Sequence, residues 1–146
     1  MDEVIIKIFR ESADIGLPRY AYPGDAGMDL ESAADIDVAP FERALVPTGL
    51  KMEIPEGYAG YIQPRSGISM KTGLTVINTP GLIDSRYRGE IKIPMINLDP
   101  HMVVNITKGD RIAQIVFLNV PHVHIEEVSA LDRTERGTGG FGSSGV

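Results

Sequence analysis

The chain has 146 residues, 42% hydrophobic and 23% charged, which suits one globular domain with its own core. The absence of cysteine excludes disulfides, thiolate catalysis and cysteine-held metals. A net charge of −6 excludes the broad positive stripe that a general nucleic-acid binder needs, so any phosphorylated ligand must be held by a few local cations and backbone amides.

The N-terminus, MDEVIIKIFRES, opens with acids and has only a short apolar stretch, unlike a signal peptide. No apolar run approaches the ~18 residues needed to span a bilayer. The expectation is a soluble, cytoplasmic protein with no membrane or nucleic-acid partner.

Short runs rich in Val, Ile, Tyr and Phe predict strands over Val4–Phe9, Ala44–Val46, Leu50–Ile54 and Tyr58–Gln63. Further strands are predicted over Leu74–Ile77, Glu90–Asn97, Met102–Ile106, Arg111–Val120 and His124–Val128. Between them, PGD, PEG, TPG, LDP and KGD are turn signals, because Pro presets φ and Gly accepts positive φ. One helical turn is predicted at Ser66–Lys71, with Ser66 as its cap. Many short strands without long helices predict an all-β, jelly-roll-like β-barrel.

Pro23–Asp29 (PGDAGMD) is a turn leading into acidic sequence. Its spacing is not that of a calcium loop, and the better use of one Asp is to hold the waters of a Mg²⁺ that arrives with a substrate. Pro64-Arg65-Ser66-Gly67 brings an arginine, a hydroxyl and free amides together, either as a compact anion site or as an ordinary capped surface helix. Asn78–Gly89 (NTPGLIDSRYRG) lies between strand-like runs. Asp84 there either aims at one water as a general base or merely caps a hairpin; Asn78 suits an amide-like base edge, and Tyr87 offers a flat face.

In KGDRIAQ, Asp110 and Arg111 suit an ion pair, while Gln114 is a neutral donor for phosphate. His122 and His124 share a strand face without an evident third ligand and read as solvated surface residues. Residues 136–146 (RGTGGFGSSGV) formally match G-x-G-x-x-G but lack the following helix of a dinucleotide fold. They are either a disordered end or a flap, and Arg136, Phe141, Ser143 and Ser144 exceed what a spacer requires. The expected organisation is a β-barrel domain over 1–135 and a flexible arm over 136–146.

In order, AGMDL, PRSG, NTPGLIDSRYRG, GDRIAQ and RGTGGFGSSG resemble the five motifs of the trimeric dUTPase family. The resemblance implies Mg²⁺-dependent hydrolysis of dUTP to dUMP and pyrophosphate. That reaction limits uracil incorporation into DNA and supplies dUMP for thymidylate synthesis. It further implies a homotrimer whose active sites are each built from all three subunits.

By that resemblance Asp84 positions and deprotonates the attacking water. Asn78 and the backbone around Leu82, Ile83 and Lys92 read uracil, and Tyr87 lies under the deoxyribose. Arg65, Ser66, Gly67 and Gln114 hold phosphates. The arm closes with Phe141 on uracil and with Arg136, Gly142, Ser143 and Ser144 near the terminal phosphates, while Asp29 reaches Mg²⁺ through water. Ser144 stands where many relatives carry threonine. Arg86 stands where an acid is frequent, a change that bears on the field at Asp84. The competing readings are a dCTP deaminase of the same fold, which needs a glutamate against the exocyclic amine, and a non-enzymatic jelly-roll binding module.

Overall fold

The computed structural model describes residues 3–145. Eleven short strands and one helix occur among them, and every strand pair is antiparallel. Strands β1 (Lys7–Arg10) and β5 (Leu50–Glu53) form one ribbon, and β3 (Ile36–Val38) and β10 (Val104–Ile106) another. β4 (Arg43–Pro47), β9 (Lys92–Asn97) and β7 (Leu74–Val76) make a three-stranded sheet. The four-stranded sheet has the order β2 (Met28–Glu31), β11 (Arg111–Asn119), β6 (Tyr58–Pro64), β8 (Gly81–Ile83).

The alternation that predicts strands also sorts the core. In β9, Ile93, Met95 and Asn97 are buried while Lys92 is exposed and Pro94 and Ile96 are half-buried. Leu30, Leu50, Leu74, Ile91, Ile93, Met95, Ile112 and Ile115 fill the centre. Asn97 is fully buried, and its side chain donates to the carbonyls of Val38 and Met102 at 2.9 and 2.8 Å, so the polar group is satisfied.

Several sequence expectations are corrected. The sheets do not close into a barrel, because β2 and β8 each lack a strand on one side. The fold is mostly β with one short helix. His124–Val128 is not a strand: it pairs with none of the strands of the protomer and lies fully exposed. The first strand starts at Lys7, not Val4. β2, β3 and β8 go unpredicted because they span only three or four residues. Within so few residues the acids of MDLE and IDV, or the glycine of GLI, mask the period of two.

The helix α1 (Ser66–Thr72) agrees with expectation, but Ser66 is not its cap: Arg65 is, in extended conformation and without a side-chain capping bond. Ser66 is instead the first helical residue, and its hydroxyl is left free for a ligand. Gly73 ends the helix at φ 78°, donating to the Ser69 carbonyl.

Candidate active site

Antiparallel register sets three motifs side by side. On β11, Gln114 pairs across to Asp29 on β2 and to Gln63 on β6. Arg65 follows β6 directly, so strand alignment alone brings PRSG, AGMDL and GDRIAQ to one end of the sheet. They line a cavity of 410 Å³ with Tyr22, Asp25, Gly27, Ser66 and Gly67 on its wall.

Inside it the Arg65 side chain is held at two points. Nε donates to Oδ1 of Asp29 at 2.8 Å, and a terminal nitrogen donates to the Arg111 carbonyl at 3.4 Å. Arg111 itself lies 3.5 Å from the other oxygen of Asp29. The expected Asp110–Arg111 ion pair does not form; the Asp110 carboxylate accepts from the Thr107 amide at 2.9 Å instead. Gln114 donates to the Pro64 carbonyl at 3.0 Å, and a Cβ on Gly27 would come within 2.5 Å of its Oε1. Gly27 therefore admits Gln114. Gly67 differs: a Cβ there would meet nothing within 4 Å. Nothing in the protomer demands glycine at 67, whereas an anion docking on its amide would.

The hairpin that carries Asp84 is a second cluster. The Tyr87 amide donates to the Asp84 carbonyl at 3.1 Å, closing a tight turn, and Arg88 braces that turn by donating to the carbonyls of Ser85 and Tyr87. The Tyr87 hydroxyl donates to the Glu90 carbonyl at 2.9 Å, and the ring lies so close over Gly89 that a Cβ there would collide with the hydroxyl. Asp84 is exposed. Arg86 does not turn toward it: its guanidinium donates to Glu56 at 2.8 Å, and that bond holds the Glu56 carboxyl below its ordinary range.

Leu82 and Ile83 lie on β8, whose outer edge is free, and a Cβ on Gly81 would stand 3.4 Å from the Asn78 amide nitrogen. Asn78 thus lies against that strand. Lys92, by contrast, opens β9 in the other sheet, paired to Pro47 and exposed. Asp84 and Leu82 share a 570 Å³ cavity with Tyr58, Tyr61 and His122.

Among the described residues the arm makes no hydrogen bond or ion pair to either cluster. Arg136 donates to the Gly139 carbonyl at 2.8 Å, the Ser143 amide to that of Gly140 at 3.0 Å, and Phe141 is fully exposed beside Gly142 and Ser144. Val146 lies outside the described residues. The two clusters also stand apart within one protomer. Ile83 pairs with Gly60, so Asp84 lies level with Ala59, six residues along β6 from Arg65, or about 20 Å at ~3.3 Å per residue.

Sequence reading missed Gly27, Asp25 and the Arg111–Asp29 contact. Only the run GDAG offered a signal for the first two.

A family model described as dUTPase matches residues 13–145. A deoxyuridine 5'-triphosphate nucleotidohydrolase of Thermobifida fusca (strain YX) is 52% identical over 142 residues, covering 97% of this chain and 79% of that protein. One of Rhodococcus erythropolis (strain PR4 / NBRC 100887) is 49% identical over 144 residues, covering 99% and 88%. The Staphylococcus bacteriophage 80alpha dUTPase, solved with dUpNHpp, superposes with a TM-score of 0.89 at 32% identity over 97% of this chain and 99% of that one. With the family model matching nearly the whole chain, the protein belongs to the dUTPase family.

Proposed function

We propose that the chain hydrolyses dUTP to dUMP and pyrophosphate, using sites shared between three copies. The observation that carries this reading is the cavity formed where β2, β11 and β6 end. It combines one oriented guanidinium, a free hydroxyl, an open glycine amide and a carboxamide in a chain of this family. Relatives of known structure hold dUpNHpp, an imido analogue of the substrate.

In the reaction the water oxygen bonds to the α-phosphorus as its proton passes to the Asp84 carboxylate. The bond from the α-phosphorus to the bridging oxygen breaks, and that oxygen leaves with pyrophosphate. Asn78 and the free edge of β8 at Leu82 and Ile83 present amide donors and acceptors to uracil, with the Lys92 backbone as a further contact. Tyr87 supports the sugar. Arg65, Ser66, Gly67 and Gln114 hold the phosphates. The arm, 136–146, brings Phe141 onto the base and Arg136, Gly142, Ser143 and Ser144 onto the terminal phosphates.

Sharing between copies is supported by the separation of Asp84 from Arg65 within one protomer. It is also supported by residues 121–138, all exposed, where Val123, Ile125 and Leu131 present apolar side chains to the outside of the protomer.

A resident metal cage does not fit this chain: no group of three or more potential ligands occurs among the described residues, and both oxygens of Asp29 face arginines. A Mg²⁺ held mainly by the triphosphate does fit, with Asp29 meeting it through water, and when bound it supplies charge neutralisation. A phage phi11 dUTPase at 28% identity has a structural Mg(II) ion.

The test is incubation with Mg²⁺ and each deoxynucleoside triphosphate in turn. Pyrophosphate released from dUTP alone supports the reading. Ammonia from dCTP would establish the deaminase, and no turnover of any nucleotide would leave a binding module.

A further inference from the structure

The cavity read above as the triphosphate site is not electropositive. Three charged residues line it: Asp25, Asp29 and Arg65. Asp29 is compensated by Arg65 at 2.8 Å and by Arg111 at 3.5 Å. Asp25 has no ion pair among the described residues. Its Oδ2 accepts from the Tyr22 amide at 2.9 Å, and its own amide donates back to the Tyr22 carbonyl at 3.2 Å. These bonds fix the carboxylate on the wall but leave its charge uncancelled.

A triphosphate bears roughly four negative charges, so an uncompensated carboxylate on the same wall repels it. A bound divalent cation roughly halves that net charge, and its positive centre gives a carboxylate on the wall a favourable partner. We propose that Asp25 is a specificity residue that makes the cavity select the cation-complexed triphosphate over the free one. The proposal rests on the triphosphate reading of this cavity. The plain alternative is that Asp25 only closes the Tyr22–Asp25 turn. Asparagine would do that equally well, because its amide oxygen accepts the same bond.

Asp25→Asn therefore separates the two. Calorimetric titration of the full chain with dUpNHpp, in EDTA and in saturating Mg²⁺, yields the Mg²⁺/EDTA affinity ratio. The variant is expected to bind the free analogue more tightly and the Mg²⁺ complex more weakly, lowering that ratio about tenfold, one decade being ~1.4 kcal/mol. Asp25→Ser, which also keeps an acceptor, should move it in the same direction. A ratio unchanged in both variants while wild type binds the analogue overturns the selectivity proposal and leaves the site reading standing. A wild-type chain that binds the analogue in neither buffer overturns the site reading itself, and the proposal with it.

Discussion

At the residue scale the site depends on side chains whose orientation is set by one or two neighbours. Asp84 is exposed on a braced turn, where a carboxylate can meet water without losing its charge to a partner. Asp84→Asn keeps the shape and removes the base, so kcat should fall about 10²- to 10⁴-fold while affinity for dUpNHpp stays near wild type. Stopped-flow turnover beside equilibrium titration checks this; near-normal kcat would place water activation elsewhere.

Tyr87 is more rigid. Its hydroxyl is tied to Glu90 and its ring lies over Gly89, so a ring that supports the sugar as proposed meets a 2′-hydroxyl from a fixed position. Burying that hydroxyl unpaired costs about 1–3 kcal/mol, and ~1.4 kcal/mol is one decade, so wild type should favour dUTP over UTP at least tenfold. Tyr87→Ala should erode that preference and spare the choice of uracil over cytosine, as kcat/KM for dUTP, UTP and dCTP would report. An unchanged dUTP/UTP ratio would assign sugar selection to another residue.

At the element scale, α1 is short and lacks a side-chain cap; Ile68, half-buried, packs it against the core, and its two ends fix its placement. Its start is anchored through Arg65 to Asp29, and its end by Gly73, where the backbone is left-handed and a Cβ would stand 2.7 Å from the Asp99 amide nitrogen. Gly73→Ala should destabilise the protein by roughly 1–3 kcal/mol from backbone strain alone, with the collision adding to it. It should also weaken phosphate binding, since Ser66 and Gly67 move with the helix. Urea midpoints at matched protein concentration measure the first effect, and dUpNHpp affinity the second. A midpoint equal to wild type would show that the turn relaxes freely. The helix was legible in sequence from a hydroxyl at its start, although Arg65 and not Ser66 turns out to be the cap. β8 was not, because three residues after a proline offer too short a pattern, and only pairing with β6 makes them a strand.

At the scale of the whole molecule, one protomer holds the parts of a site but does not join them. Residues 121–138 leave the sheets exposed, and the described residues of the arm beyond them make no hydrogen bond or ion pair to either cluster. Deleting Arg136–Val146 should leave a folded oligomer, since the segment contributes no core residue, and should nearly abolish turnover. If sites are shared, mixing tail-deleted subunits with Asp84→Asn subunits should restore part of the activity, because some hetero-trimeric sites then draw an intact Asp84 and an intact arm from different chains. Verified subunit exchange without rescue would argue against shared sites.

The sequence by itself determined the chemistry and its inventory. Five ordered motifs named the family, Val- and Ile-rich runs marked most of the strands, and Gly and Pro located the turns, since each of these is a property of neighbouring residues. Only tertiary structure decided how that inventory is arranged. Register across β2, β11 and β6 placed Asp29 against Arg65 and Arg111, put Gly27 under Gln114, left Asp25 without an ion pair among the described residues, and set Asp84 apart from the Arg65 cavity. Antiparallel pairing joins residues as far apart as Met28 and Ile115, and a local pattern carries no record of which strand will lie beside it.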